Sequence, residues 1–327
     1  MYIIVNKPDK ESLELAKNVS IELKRLGIRN SIAKETDDEC DLIVAVGDDK
    51  FILRAFRAIG KKQIPLLAIS SGHSFLAQAN ALNFRHYLSL IKKNKYDIFK
   101  RSRLVAKFGK STTPIALNDI GLFSSKSASL LKFSLFLNEE LFRKDTSDGL
   151  IVSTPTGSTG YSLSAGGPII LDEPNIFSLT SISSLEKHPS VVVSDGTKIR
   201  VSDVQGHKPV LVIDGEARIP VAEDEISIEK SPHSANFVMF SKEYSLESRL
   251  KKRTVNVSID RLKNMPASAK LVYRILAEEG NMTQKDMIVS SMLPERTARY
   301  ALNLLLKESL ITYQPHFTDA RQTVYGI

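Results

Sequence analysis

The stretch from residue 148 to residue 169 reads Asp-Gly-Leu-Ile-Val-Ser-Thr-Pro-Thr-Gly-Ser-Thr-Gly-Tyr-Ser-Leu-Ser-Ala-Gly-Gly-Pro-Ile. It predicts a strand at residues 150–153 that opens into a loop dense in hydroxyl groups and small residues. Such a loop brings backbone amides close to a polar ligand and supplies Ser and Thr donors and acceptors. By composition alone, the stretch is either a ligand-binding loop or an ordinary polar loop.

The first hundred residues alternate between strand-like and helix-like segments. Apolar runs at residues 2–5, 41–46 and 65–70 are typical of parallel strands buried on both faces. Residues 11–26 and 51–59 have helical periodicity. The apolar face of the first helix is expected to comprise Leu13, Ala16, Val19, Leu23 and Leu26. The alternation predicts an α/β doubly wound domain over residues 1–100. Its ligands are expected at the carboxyl ends of the strands, at the Gly47-Asp48 turn and at residues 70–72.

Short strand-like segments separated by turn residues follow residue 101. They lie at residues 105–108, 132–137, 150–153, 190–193, 198–201 and 209–213. This pattern predicts a second, all-β domain over residues 101–235. The apolar residues 237–240 are interpreted as a strand that returns to the first sheet, so residues 236–248 are assigned to the first domain.

The last quarter of the chain is organised differently. Residues 249–265, which include Lys251-Lys252-Arg253, are interpreted as a polar linker. Residues 266–327 predict helices at 268–279, 283–291 and 294–310, followed by a hairpin-like tail. In this order they resemble a small α+β winged helix-turn-helix domain of the bacterial and archaeal regulator type.

Basic residues are concentrated in the same part of the chain. The net charge is +8, and residues 249–327 contain 13 Lys+Arg against 7 Asp+Glu, a balance of +6. A basic small domain favours a polyanion partner. The winged-helix resemblance implies DNA contacts from the third helix, which carries Arg296 and Arg299, and from the wing tip near Arg321. The alternative is a small helical domain that makes oligomer contacts.

Cysteine content and hydropathy indicate the cellular compartment in which the protein is expected. The single cysteine, Cys40, excludes an internal disulfide framework and suits a reducing cytosol. It has no second cysteine or clustered histidine beside it, so no protein-bound metal is expected. No apolar run approaches the length of a membrane span. We therefore expect a cytoplasmic protein without a membrane partner.

The stretch at residues 148–169 closely resembles the signature of the NAD kinase family over more than twenty consecutive positions. Gly160 stands where the family usually has alanine. The resemblance extends over about residues 1–245 and implies an NAD kinase-like fold in which this loop holds the dinucleotide. The residues that it assigns to cofactor binding are Asp148, Thr156, Thr159, Gly160, Tyr161, Ser162, Leu163 and Ser164.

Two shorter motifs are in register with the same family. Asn118-Asp119 matches a short Asn-Glu or Asn-Asp motif, and the resemblance implies that these side chains hold the adenosine part of NAD. Without the resemblance, Asn-Asp between apolar residues is more often a simple turn. Asp214-Gly215-Glu216 matches a later Asp-Gly turn.

The phosphate-donor motif departs from the family. The family carries Gly-Gly-Asp-Gly-Thr after the third strand, where this chain reads Val46-Gly47-Asp48-Asp49-Lys50. The resemblance makes Asp48 the catalytic base that takes the proton from the adenosine ribose 2′-hydroxyl. Replacing the outer glycines is expected to strain the turn wherever φ is positive. Asp49 is expected to place a negative charge near the triphosphate, and Lys50 to offset that charge or to bind phosphate.

Three functions remain open. The first is an NAD kinase, a transferase that makes NADP from NAD and from ATP carrying Mg²⁺, with the appended domain for regulation or assembly. The second is a catalytically weak, NAD(P)-sensing DNA-binding regulator; a relative acting on another substrate is a third. Retention of Asp48, Asn118 and Asp119 favours the first, and the altered turn favours the second. The resemblance also implies a homo-oligomer.

Overall fold

The computed structural model describes residues 1–33, 40–72, 74–126, 129–171, 174–240, 262, 265–279, 282–308, 310–315 and 323–326. The chain divides into two compact units, Met1–Glu247 and Ser248–Ile327.

The first unit begins with alternating strands and helices. In chain order these are β1 (Tyr2–Asn6), α1 (Lys10–Arg25), β2 (Asn30–Ile32), β3 (Leu42–Val46), α2 (Asp49–Ile59), β4 (Leu66–Ser70), β5 (Ala79–Asn80), α3 (Phe84–Lys92) and β6 (Asp97–Arg101). Aspartates cap the first two helices: Asp9 accepts the Ser12 amide, and Asp48 accepts the Phe51 amide. These caps satisfy amides that have no partner within the helix.

Strands predominate from residue 104 onward. They are β7 (Leu104–Phe108), β8 (Ser111–Thr112), β9 (Asp119–Ser124), β10 (Leu131–Leu137), β11 (Glu140–Ser147), β12 (Gly149–Ser153), β13 (Ile176–Ile182), β14 (Val191–Ser194), β15 (Ile199–Gln205), β16 (Pro209–Ile213), β17 (Ala217–Pro220), β18 (Glu225–Lys230) and β19 (Ala235–Met239). A 3₁₀ turn (Thr156–Thr159) and the short helix α4 (Tyr161–Ser164) follow β12.

The first sheet has the order β2-β1-β3-β4-β19-β6, with β5 paired to β4. All pairs are parallel except β19 with β6. Alternate residues of each strand face opposite sides: Ile43 packs with Phe56 of α2, whereas Val44 packs with Leu23 of α1 and Leu88 of α3. Helices therefore cover both faces, as the alternating sequence pattern predicts.

Two six-stranded antiparallel sheets form the other layer of the unit. Their orders are β11-β10-β15-β18-β7-β8 and β14-β13-β12-β9-β16-β17. Apolar residues from both sheets, such as Phe133 of β10 and Phe177 of β13, belong to one shared core. Strand β12 lies at the centre of the second sheet between β9 and β13, so this packing fixes where the loop after it begins.

One sequence expectation about the first helix is wrong. Leu13 was assigned to the apolar face of α1 but is 41% exposed, whereas Leu15 is buried. The helix turns Leu15, Ala16 and Val19 toward the sheet, with Ser12 also buried. The buried residues Leu15, Ala16, Val19 and Leu23 recur at helical spacing, and Leu13 lies outside the face that they form.

The second unit contains three helices and a small sheet. These are α5 (Ala267–Glu279), β20 (Met282–Thr283), α6 (Gln284–Ser291), α7 (Glu295–Lys307), β21 (Thr312–Pro315) and β22 (Thr323–Gly326), with strand order β20-β22-β21. The helices share a core that includes Val272, Met287 and Leu305. The order of elements agrees with the predicted order, and the classification as a winged helix stays a prediction.

Two of the three arginines predicted to contact DNA lie on α7. Arg296 is exposed, and Arg299 is exposed but paired with Glu295 at 2.7 Å in the next turn. Arg321 and the rest of the predicted wing tip, together with residues 249–261 of the predicted linker, lie outside the described residues. None of the helices within the described ranges is long and apolar enough to cross a membrane.

Candidate functional site

Hydroxyl groups brace the loop that follows β12. Thr154 Oγ1 donates to the Leu117 carbonyl oxygen at 2.7 Å and accepts the Gly157 amide at 3.1 Å. Ser158 Oγ accepts the Ile170 amide at 3.1 Å. The composition of the loop led us to expect its hydroxyls to face a ligand. In the structure, the hydroxyls of Thr154 and Ser158 hold the loop in shape.

A close approach between two backbone segments explains one glycine of the loop. A Cβ atom on Gly157 would lie 2.1 Å from the carbonyl oxygen of Asn118. No side chain fits at that distance, so glycine lets the 3₁₀ turn rest directly on the residues before β9. Gly160 is less restricted, since the nearest atom to an added Cβ is the Gly157 carbonyl oxygen at 3.1 Å.

The segment under the loop carries two acceptors without partners. The side-chain oxygen Oδ1 of Asn118 is buried, and no residue in the described ranges bonds to it. Asp119 is only 5% exposed, and among the described side chains and amides none donates a hydrogen bond to its carboxylate. Buried polar atoms are normally satisfied. The orphaned Asn118 oxygen, with the unpartnered Asp119 carboxyl group next to it in the chain, therefore indicates a site for a ligand that donates hydrogen bonds.

Asp214 fixes the backbone of that segment. Its Oδ1 accepts the amides of Leu117, Asn118 and Asp119 at 3.0, 2.7 and 3.4 Å, and the residue has a φ of +50°. Its Oδ2 receives Arg57 Nη1 at 2.9 Å. Because Arg57 belongs to α2, this carboxylate connects the first domain to the start of β9.

The two aspartates differ in their electrostatic surroundings. Burial, and then the neighbouring charge of Asp214, raises the pKa of Asp119 to about 7. Burial also raises the pKa of Asp214, but the amide of Asn118 and the guanidinium of Arg57 oppose it. Since Asp214 has a cation and three amides as partners, we assign the negative charge to it, whereas Asp119 exchanges its proton close to neutral pH.

The remaining loop residues named from the sequence fall into two groups. Thr159, Gly160 and Leu163 are partly exposed, while Asp148, Tyr161 and Ser164 are exposed, with the Tyr161 ring stacked against Phe123 at 5.9 Å. Thr156 and Ser162 are buried instead. Thr156 lies 3.4 Å from Arg101, and Ser162 lies 3.5 Å from the hydroxyls of Ser178 and Thr180 on β13.

Asp48 lies at the carboxyl end of β3, where the parallel sheet predicts a ligand. One carboxylate oxygen caps α2 by accepting the Phe51 amide at 2.9 Å, and the other receives Lys7 Nζ at 3.0 Å. Partial burial raises the pKa of Asp48, but the Phe51 amide and Lys7 outweigh it, so the net pKa is lowered. The carboxylate is therefore ionised at neutral pH and able to accept a proton.

Asp49 has partners other than those expected from the sequence. Its carboxylate accepts the amides of Phe75 and Leu76 at 2.9 and 3.1 Å and also bonds to the Ser74 hydroxyl. The loop after β4 thus supplies the hydrogen-bond donors that stabilise this negative charge. Lys50 is exposed, with no partner among the described residues. In the structure these three donors, rather than Lys50, hold the Asp49 carboxylate, and an interaction of Lys50 with phosphate stays a prediction.

Backbone strain from the missing glycines is also absent. None of the residues 46–50 has a positive φ. Asp49 is the first residue of α2 and Val46 the last of β3, so both have ordinary L-residue conformations. Gly47 is the position that needs glycine, since an added Cβ would lie 2.9 Å from the ring of Phe51. The expected cost of a non-glycine residue at positive φ does not arise in this turn.

Sequence reasoning missed Lys7 and Arg57. Lys7 follows the last residue of β1, so the rule that ligands lie at the carboxyl ends of parallel strands would have identified it as a candidate. Arg57 had no such signal, because its partner Asp214 is 157 residues away in the sequence. Asp214 itself was in a matched motif but had been given no role.

The comparisons with known proteins agree with this geometry. The family model described as the ATP-NAD kinase N-terminal domain matches residues 8–96, and the ATP-NAD kinase C-terminal domain matches residues 117–240. An NAD kinase of Marinomonas sp. is 37% identical over 213 residues, which cover 62% of this chain and 72% of the relative. An NAD kinase of Methanothermobacter thermautotrophicus is 30% identical over 77% of this chain and 95% of its own.

Solved structures show the same similarity. An NAD kinase from Archaeoglobus fulgidus in complex with ATP superposes with a TM-score of 0.65 and 30% identity, covering 74% of this chain and 94% of the other. Yeast NADH kinase complexed with NADH superposes with the same TM-score at 21% identity, covering 75% and 84%, and supports the fold alone. The two matched family models end before the second unit.

Proposed function

The chain belongs to the NAD kinase family. We propose that it transfers the γ-phosphate of ATP to the adenosine ribose 2′-hydroxyl of NAD, giving NADP. The observation that carries the proposal is the pair of orphaned acceptors, Asn118 Oδ1 and the Asp119 carboxylate, beneath the braced loop. The comparisons give no support to the regulator alternative.

The acceptor pair suits the hydrogen-bond donors of an adenosine unit. An exocyclic amine and ribose hydroxyls donate hydrogen bonds, and a buried acceptor without a partner gains most from such a donor. The exposed faces of Thr159 and Tyr161, with Asp148 and Ser164, would hold the rest of the dinucleotide. Gly160 lies beside both side chains, since an added Cβ would be 3.6 Å from the Asn118 amide nitrogen and 3.9 Å from the Asp119 carboxylate.

Asp48 is suited to act as the base. Proton removal from the 2′-hydroxyl requires an ionised carboxylate within hydrogen-bond reach of the attacking oxygen. Lys7 and the Phe51 amide keep Asp48 ionised. ATP enters as its Mg²⁺ complex, and the substrate metal neutralises charge on the transferring phosphate. In this proposal Asp48 accepts the proton while the 2′-oxygen forms its bond to phosphorus and the bond from phosphorus to the β-phosphate oxygen breaks.

The altered turn is compatible with this reaction. The carboxylate of Asp49 does not extend freely toward a triphosphate, because Ser74, Phe75 and Leu76 hold it. Lys50 lies at the exposed start of α2, where its side chain can bind a phosphate group of ATP.

A product assay tests the proposal. Purified protein is incubated with NAD, ATP and Mg²⁺, and NADP is detected with an NADP-specific dehydrogenase. NADP formation that requires both nucleotides supports the proposal. Tight NAD binding by calorimetry without any NADP formation would exclude it, and would leave a dinucleotide-binding protein.

For the second unit we propose nucleic-acid binding through α7. The exposed Arg296 supports it, and so does the basic balance of residues 249–327. Duplex DNA affinity should fall steeply with salt and decrease in Arg296→Ala. If no duplex binds at low salt, the remaining role for the unit is assembly of a homo-oligomer. Light scattering of the full chain would measure the oligomeric state.

A further inference from the structure

Three side chains capable of binding a metal meet at an edge of the β-sandwich. Asp145 lies on β11, and Glu186 and His188 lie on the turn between β13 and β14. One ligand atom from each lies within 4.8 Å of the other two. None of the three belongs to the nucleotide site, and the sequence gave no reason to expect a metal ligand among them.

Hydrogen bonds outside the cluster orient each of the three groups. Asp145 accepts the hydroxyls of Ser181 and Ser184, the latter at 2.7 Å. Glu186 accepts the Thr146 amide at 2.9 Å. Metal ligands in proteins are typically held by such second partners, which reduce the ordering needed when the ion binds.

The histidine ring is oriented in the same way. Nε2 of His188 lies 3.0 Å from the carbonyl oxygen of Lys144. A carbonyl oxygen can only accept, so Nε2 carries the hydrogen and the neutral ring keeps its lone pair on Nδ1. A backbone carbonyl bonded to one ring nitrogen is the usual arrangement when the other nitrogen binds a metal.

The charge of the cluster is only partly compensated by the protein. Asp145 is 2% exposed, and no ion pair joins it or Glu186 to a lysine or arginine anywhere in the described ranges. Arg143, on the same strand, is close enough for its charge to interact with Asp145, but its hydrogen bonds go to the Ser181 hydroxyl and the Pro189 carbonyl oxygen, each at 3.0 Å. Two neighbouring carboxylates, one of them buried and neither in a direct ion pair with a described lysine or arginine, favour binding of a further cation.

We propose that Asp145, Glu186 and His188 bind one zinc-type divalent ion. One imidazole nitrogen and two carboxylate oxygens form a three-residue Zn²⁺ set with water as the fourth ligand. Ca²⁺ and Mg²⁺ prefer oxygen ligands alone, so they bind here more weakly. The ion connects β11 of one sheet to the turn after β13 of the other, and its effect is on the stability of the sandwich.

Zinc binding to the untagged full chain tests the proposal directly. The protein is stripped with chelator, titrated with Zn²⁺ by calorimetry, and assayed for metal after gel filtration. We expect one Zn²⁺ per chain and a higher Tm with Zn²⁺ than with Mg²⁺. His188→Ala and Glu186→Gln should each weaken binding by about tenfold or more and remove the rise in Tm.

Two control variants separate this site from incidental binding. His207→Ala removes an exposed histidine elsewhere, and Cys40→Ser removes the single thiol. Both should bind Zn²⁺ like the wild type, and circular dichroism checks that all variants are folded. The proposal is overturned if the wild type binds no Zn²⁺, if a folded His188→Ala variant binds it equally well, or if Cys40→Ser alone abolishes binding.

Discussion

The guanidinium of Arg57 lies 2.9 Å from the carboxylate of Asp214, and both side chains are almost completely buried. The pair joins α2, which Asp48 caps, to the backbone of Asn118 and Asp119, which Asp214 holds. The ion pair therefore links the helix that begins next to the proposed base with the segment that carries the adenosine acceptors. The second nitrogen of Arg57 contacts Glu216, which also contacts Arg54 at the surface.

Removing the buried cation should destabilise the first unit. Arg57→Met leaves the Asp214 charge buried without its partner, which costs about 3–5 kcal/mol. Urea unfolding of the full chain measures the loss. Arg54→Met is the matched control, because Arg54 is more than half exposed and its ion pair is with Glu216 alone. This substitution should lower the free energy of unfolding by about 1 kcal/mol or less. Equal losses in the two variants would contradict the role given to the Arg57–Asp214 pair.

Two glycines of the loop should respond differently to the same added methyl group. Gly157→Ala places a carbon 2.1 Å from the Asn118 carbonyl oxygen, so the backbone must shift and NAD affinity should fall. The cost in stability should be about 1–3 kcal/mol. Gly160→Ala restores the residue usual in the family and meets its nearest atom at 3.1 Å, so it should change little. Calorimetry with NAD compares them, and a tolerated Gly157→Ala would show that the close approach is wrong.

Lys7 should control the acid side of the pH profile. It lowers the pKa of Asp48, so in Lys7→Met that pKa rises and the base becomes protonated at higher pH. The acid limb of kcat/KM should therefore move to higher pH, and Lys7→Arg should restore it. Lys10→Met, which removes an exposed lysine at the start of α1, is the control. A profile for Lys7→Met that superposes on that of the wild type would remove Lys7 from the account.

Asp119 should make stability depend on pH in a defined direction. Its folded pKa of about 7 lies above the ordinary value of 3.8, so between these values the folded chain holds a proton that the unfolded chain has lost. Its contribution to the free energy of unfolding thus falls as pH rises through this window and is lowest above pH 7. Asp119→Asn removes this dependence, so its Tm relative to wild type should increase from pH 5 to pH 8. A difference that stays constant with pH would contradict the shift.

The elements that follow local periodicity could be predicted from the sequence. The buried strands β3 and β4 are continuous apolar runs, and residues 209–213 were predicted with the bounds that β16 has. Strands β11 and β18 were not predicted, because charged residues interrupt their apolar pattern. Their assignment depends on pairing with β10 and β15, which a local window does not contain.

The candidate site could be predicted where it consists of short continuous motifs. Asn118, Asp119 and the loop after β12 lie close together, and their binding of NAD stays a prediction from the resemblance. The partners of Asp49 and the function of Asp214 were not predictable, since each depends on residues at least 25 positions away. A carboxylate at position 49 looked like a repulsive charge only because its three donors come from another strand's loop.

The central claim is that Asp48 takes the proton from the ribose 2′-hydroxyl, and Asp48→Asn tests it most directly. The asparagine side chain has the same shape as aspartate, and its oxygen can still accept a hydrogen bond from the Phe51 backbone amide. It cannot act as a base. NADP formation and NAD affinity are measured on the same preparations of wild type and variant. The account predicts that turnover is abolished while NAD affinity stays within a few-fold. Unchanged turnover in Asp48→Asn would contradict it.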